Sequence, residues 1–303
     1  MFTAFSLAYQ AAFTTAPVFW RQLAMTTPST TETNTYTWME KIPKMREWLG
    51  PRVVHNLVAR EPRIIPNRTF ELTLGVPKQK ILDDQYGVFT PTAAMMGMQA
   101  ALWPDDLVSE CVTNNPVAFD GQNFFDTDHP VSLDDAGLGT YSNLEATWAL
   151  TLDNYGKAKA RMRGTKGADG RRVGARGTLL VVSPSNEEKA KTILNSQYYP
   201  RLADGAALGN GDVGFVENVW KGSADLLVID DLEDTPQKWF LFDTSKPIMP
   251  FNFQIRQAPV FAYLMDPTAP NVFFNREFVM GVEALGNVDC TIPWLGFCGG
   301  SGL

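Results

Sequence analysis

The chain has 303 residues, of which 45% are hydrophobic and 19% charged; this excludes a disordered polymer and leaves apolar mass for roughly two domains. Its formal net charge is −7, so it lacks the Lys and Arg excess with which a protein grips a nucleic-acid backbone. An acidic wall is still compatible with enclosing nucleic acid without reading its sequence.

The three cysteines, Cys111, Cys290 and Cys298, match no zinc or redox spacing and read as small buried hydrophobes in a reducing cytosol. Eight Trp and nineteen Phe suit a chain that buries surface against copies of itself, although a large core would use the same residues. No apolar run approaches the ~18 residues that span a bilayer. Met1 to Trp20 lacks the basic start of a secretory signal. Synthesis in the cytosol and no membrane partner are therefore expected.

In chain order, residues 1–50 read as an arm. A Thr-, Ser- and Pro-rich stretch, Thr26 to Thr37, lies among the aromatic anchors Phe2, Phe5, Phe13, Phe19, Trp20, Trp38 and Trp48. Such a segment either drapes over a neighbour or folds onto its own core. Residues 52–77 read as a long β-hairpin. Phe70, Leu72, Leu74 and Val76 alternate with Thr69, Glu71 and Thr73, and Arg60-Glu61-Pro62-Arg63 forms a charged tip. A hairpin this long needs another surface to hold its shape.

Residues 83–113 are helical in character, with Asp83 and Asp84 as caps and Ala93 to Leu102 as a strong helical run despite Gly97. Pro104 is expected in the first turn of a second segment, with Asp105 and Asp106 near its positive end. Residues 114–145 read as loop. Arg161 to Arg176 is basic and glycine-rich, with an Asp169-Gly170 turn. Gly177 to Val182 reads as a buried strand. Ser183-Pro184 then leads to a helix opened by a capping box, Ser185 with Glu188, and ending near Asn195. Tyr199 to Gly214 reads as a loop. Strands are expected at 215–220, 226–229, 239–242 and, with interruptions, 271–285. The class is α+β.

The most enzyme-like string is Phe125-Asp126-Thr127-Asp128-His129-Pro130. Asp126, Asp128 and His129 could serve a metal-dependent hydrolase, but such a site needs further ligands. His55, the other histidine, has no partner motif. Asp at turn positions commonly bonds its own backbone, so a structural loop is expected. The glycines of Gly164 to Gly170 precede a strand and not a helix, the wrong order for a phosphate cradle. Neither a nucleophile elbow nor a zinc-peptidase motif occurs. No catalytic residue, metal or cofactor is expected.

Several segments occur in a telling order: Tyr36-Thr37-Trp38, Lys41 to Gly50, Asn67-Arg68-Thr69-Phe70-Glu71, Asp83-Asp84-Gln85-Tyr86-Gly87, and Asp120 to Pro130. Together they resemble the Mu-like phage major head subunit family, most closely from Thr26 to Asn195. The resemblance implies a Hong Kong 97-type capsid fold. In that fold an N-terminal arm would be 1–50 and an extended loop 51–82. A peripheral domain with a spine helix would be 83–160 and 246–285, and an axial domain 161–245 and 286–303. It implies a major capsid protein whose pentamers and hexamers form the icosahedral head of a tailed phage around double-stranded DNA. Implied partners are further copies of itself, a portal protein, a separate scaffold or protease, and cement proteins. The implied location is the virion, with assembly in the host cytoplasm. An encapsulin-like compartment is the alternative on the same fold. The resemblance carries over no catalytic residues. The loop tip has no Lys, so no isopeptide crosslink is expected there. Because the sequence starts at Met1, scaffolding is expected from a separate protein. The tail Thr291 to Phe297 has no assignable counterpart. Intersubunit contacts are expected at Trp20, Trp38, Trp48, Arg60, Glu61, Arg63, Phe70, Leu72 and Leu74.

Overall fold

The computed structural model describes residues 2–36, 63–83, 87, 89–202 and 213–300. In chain order the elements are α1 (Phe2–Thr15), β1 (Ala24–Pro28), β2 (Thr33–Tyr36), β3 (Arg63–Pro66), β4 (Arg68–Pro77), α2 (Lys78–Leu82) and α3 (Phe89–Asn114). Then come β5 (His129–Pro130), β6 (Thr140–Tyr141), β7 (Leu144–Glu145), α4 (Leu152–Gly164), β8 (Leu179–Val182), α5 (Glu187–Asn195), β9 (Tyr198–Leu202) and β10 (Val213–Glu217). The last are β11 (Asp225–Val228), β12 (Trp239–Phe242), β13 (Phe251–Leu264), α6 (Pro270–Asn275), β14 (Glu277–Cys290) and β15 (Gly296–Gly299). They divide into two compact units, Met1–Tyr36 with Ile64–Cys111 and Phe251–Asp289, and Thr37–Arg63 with Val112–Pro250 and Cys290–Leu303. The stretch 112–160 packs with the later strands, because α4 covers their sheet.

The first unit is built on a four-stranded sheet of order β1-β13-β14-β4. The alternation expected in β4 is present, with Phe70, Leu72, Leu74 and Val76 half-buried and their neighbours exposed. Residues 68–77 pair antiparallel with β14, from Arg68 against Gly286 to Pro77 against Glu277, while 52–62 lie outside the described residues. Ten ladder positions of a neighbouring strand hold β4 in place, which a free hairpin could not do.

The N-terminal residues also depart from an extended arm. Phe2–Thr15 is a helix whose Phe5 and Tyr9, four residues apart, enter a core with Met96, Phe278 and Met280. Tyr9 stacks on Phe261 at 4.7 Å. The Thr14 and Thr15 hydroxyls donate to the carbonyls four residues back, and Pro17 prevents continuation. A β-carbon on Gly97 would overlap the Tyr9 carbonyl, so that glycine lets α1 pass close over α3.

Helix α3 starts at Phe89, later than expected, and runs unbroken through Pro104. Proline there removes the bond to the Ala100 carbonyl at a cost of roughly 3 kcal/mol. Packing offsets it: Trp103, Leu107 and Val108 are buried on both sides of the proline. Asp105 does not serve a helix start. Its Oδ1 accepts the backbone N–H groups of Phe19 and Trp20 at 3.1 and 2.7 Å.

The second unit is built on a sheet of order β11-β8-β12-β15-β7. All four residues of β8, β12 and β15 are buried. Tyr155 and Met162 of α4, Ile193 and Leu194 of α5, and Leu180, Trp239, Leu241 and Phe297 of the strands form one core. The sequence reading lacks α4, whose N-cap Thr151 accepts from the Asn154 N–H. The strand at 179–182 and the helix end at Asn195 are as expected, but the capping box is not formed. Ser185 bonds Glu233 through both its N–H and hydroxyl, and α5 starts two residues later at Glu187. The expected loop after Tyr199 is bordered by the antiparallel pair β9 and β10.

Candidate functional site

The residues expected at subunit contacts fall into three groups. Trp38, Trp48, Arg60 and Glu61 lie outside the described residues. Trp20 is a correction, because its ring is spent inside its own chain. It is 7% exposed, packs edge-on against Phe253 at 5.1 Å and carries the Arg21 guanidinium at 4.5 Å. The third group is at or near the surface. Arg63 opens β3 and is half-buried. Phe70 tilts against Trp103 at 5.2 Å, under the Arg68 guanidinium at 5.0 Å, which also pairs with Glu110 at 2.8 Å. Phe70, Leu72, Ala100, Trp103, Val282 and Ala284 line an open, largely apolar cleft.

The candidate metal string folds differently. Asn115, in the left-handed region at φ 48 after α3, holds Phe125 by two backbone bonds of 2.7 and 3.0 Å. His129 is fully buried. Its Nδ1 lies 2.6 Å from Asp120 Oδ2 and its Nε2 3.2 Å from Asn143 Oδ1. Asn143 Nδ2 donates to the carbonyls of Phe124 and Pro293 at 2.7 and 2.9 Å, which turns its oxygen toward the imidazole. Both ring nitrogens are thus engaged, one by Asp120 and the other by Asn143, and neither faces an open position for a metal. Asp126 Oδ1 accepts from the backbone N–H of Thr127, and the Asp126 N–H donates to Asn143. Asp126, Asp128 and His129 thus do not converge, and among the described residues no group of three His, Cys, Asp or Glu could hold a metal ion. Tyr141 stacks on His129 at 5.0 Å. Burial, and then the Asp120 charge, push its phenol well above 10. This constellation is a polar staple within the loop region.

Sequence reasoning missed Lys159. Its Nζ donates to the Ser223 carbonyl at 2.6 Å and lies over the Tyr155 and Trp220 rings at 5.3 and 5.9 Å. Burial, with a contribution from Arg163, lowers its pKa to about 8. The signal was the helical spacing of Tyr155, Ala158, Lys159 and Met162. The three cysteines are buried, and burial pushes the Cys298 thiol up to about 12, which makes it inert.

These arrangements contain packing and staples, and they do not assemble a nucleophile, a base and a reaction pocket. The family model described as Mu-like prophage major head subunit gpT matches residues 1–149, 144–232 and 228–299. The chain belongs to this family of major head subunits. It is 27% identical over 306 residues to the major capsid protein of Escherichia phage Mu, covering 77% of this chain and 97% of that one. It is 23% identical to the Mu-like prophage FluMu major head subunit of Haemophilus influenzae, covering 95% of this chain and 68% of that one. The procapsid of bacteriophage JBD30 matches with a TM-score of 0.59 and 27% identity, over 99% of this chain and 74% of that one. The capsid of cyanophage P-SCSP1u matches at 0.61 with 10% identity, over 95% of this chain and 89% of that one, and so shows the shared capsid fold. A virus-like particle from Pyrococcus furiosus shares the fold at 0.54 and 10% identity, over 98% of each chain. The sequence relatives are phage head subunits, so the encapsulin-like alternative is not favoured. No helix among the described residues is long and apolar enough to cross a membrane.

Proposed function

We propose that this head subunit closes, as pentamers and hexamers, into an icosahedral shell around double-stranded DNA, and that its work is mechanical with no reaction catalysed. The family match along residues 1–299 carries the reading. The net charge of −7 supports a wall that contains DNA without gripping it. The first unit is assigned to the peripheral domain and the second to the axial domain, with the boundary after Cys111. Subunit contacts are assigned to the loop tip at Arg60, Glu61 and Arg63, to Trp38 and Trp48, and to the Phe70, Leu72 and Leu74 face of β4. A portal, a separate scaffold or protease and cement proteins complete the particle, which assembles in the host cytoplasm.

The test is composition. In phage particles purified from a producing host, this chain should be the most abundant protein, and nuclease-protected DNA of genome length should lie inside. A minor copy number, or particles with protein cargo and no DNA, contradicts the reading.

A further inference from the structure

The second unit carries a concentrated positive turn on an acidic chain. After α4 the backbone doubles back: Val173 N–H donates to Thr165 O at 3.0 Å, Gly167 N–H to Arg171 O and Gly170 N–H to Gly167 O, both at 2.8 Å. Lys166 and Arg172 face each other across this turn. Gly170, at φ 72, supplies the left-handed residue the reversal needs. Arg163, Lys166, Arg171 and Arg176 are exposed, and none has an ion-pair partner among the described residues. The one acid in the turn, Asp169, is occupied by the Arg171 backbone N–H at 2.9 Å.

The opposite end of the same sheet is negative. The 3-10 turn Asp230–Asp234 follows β11, and its Asp230 and Asp231 are exposed and likewise without an ion pair among the described residues. Strands β8 and β11 run parallel, Leu179 beside Asp225 and Val182 beside Val228. The basic turn leads into the first end of β8. The acidic turn follows the last end of β11, where Ile229 N–H donates to Val182 O at 3.0 Å. The strand between them keeps the two turns of one copy apart, so neither is paired with the other within one copy.

We propose that the basic turn at Lys166 and Arg171 docks on the Asp230–Asp231 turn of the next copy, a head-to-tail contact that closes a ring. Unlike patches at opposite ends of one body are what a heterologous, ring-forming contact requires. Complementary charge sets the register of such a contact and excludes wrong partners. DNA phosphate would also attract four free cations, but the matching acidic turn on the same unit favours a second copy. The inference rests on the shell reading above.

The test is charge exchange in the full chain. The variants are Lys166→Glu with Arg171→Glu, Asp230→Lys with Asp231→Lys, and all four together. Particle yield is read by sedimentation at low and high salt, and thermal melting of unassembled subunits checks the fold. Each reversal should lower yield at low salt by about tenfold with melting unchanged, and the fourfold variant should recover to within about threefold of wild type. A fourfold variant as defective as either reversal, or a reversal that assembles like wild type, overturns the docking. Normal shells that lose their DNA in the basic-turn variant would assign the turn to nucleic acid instead. If the wild-type chain forms no particles under any condition tested, the shell reading itself fails and this inference falls with it.

Discussion

The two units solve the same packing problem with different strands. In the second, β8, β12 and β15 are four residues long and buried throughout. In the first, β13 and β14 are each fourteen residues long. Only the first four residues of β13 are buried in an unbroken run; the strand then alternates and ends exposed. Tyr263 and Leu264 are half in water, and Phe273 and Phe274 of α6 are 70% and 77% exposed. A short strand covered on both faces completes its core. A long strand covered on one face extends beyond its core and leaves apolar side chains outside it. The central strands β8, β12 and β15 of the second unit thus keep their apolar residues inside, and exposure there falls outside them, as at Val219, while β13 and α6 of the first unit hold a surplus.

The most direct way to break this contrast is Trp239→Ala. The ring is fully buried against Phe297 at 5.6 Å, so its loss should cost about 3–5 kcal/mol and show as a collapsed melting temperature or insoluble protein. Asp120→Asn should cost the second unit about 1–3 kcal/mol, because it weakens the buried bond between His129 Nδ1 and the Asp120 carboxylate; chemical denaturation reads this. The Lys159 amine gives a smaller, pH-dependent effect. Its folded pKa of about 8 lies below the usual 10.5, so between these values the unfolded chain binds more protons and stability rises with pH. Lys159→Met should abolish that rise while the native fold persists, as read by melting at pH 8 and pH 10. The smallest effect belongs to the surplus: Phe273→Ser with Phe274→Ser should change subunit stability by less than about 0.5 kcal/mol. A large loss there would mean that the two rings serve their own core and would erase the contrast.

Much of the second unit was legible because its signals are local. The Leu179–Val182 run is a continuous apolar block, and the Asp169-Gly170 turn carries its own glycine. Helix α4 escaped because its Lys and Arg residues mask a core face of Tyr155, Ala158 and Met162. Strand β13 escaped because buried Asn252 and Gln254 interrupt the apolar pattern; Gln254 is held by Asn67, far away in sequence, at 2.7 Å. Pro104 misled for a related reason, since local propensity was outweighed by burial on both sides. At the candidate site the string 125–130 names the residues but not their partners. Asp120 and Asn143 reach His129 from nine and fourteen positions away, spacings that no motif encodes. The Trp20 ring looked like an anchor for a neighbour, and only the fold shows Phe253 beneath it.

The central claim is that this chain builds a phage head. A cryo-electron microscopy reconstruction of particles containing it tests that claim most directly. The account predicts a closed icosahedral shell whose repeating density, in rings of five and six, is filled by the two units described above. A particle whose wall is built from another protein, or a preparation in which this chain stays monomeric under every assembly condition, would contradict it.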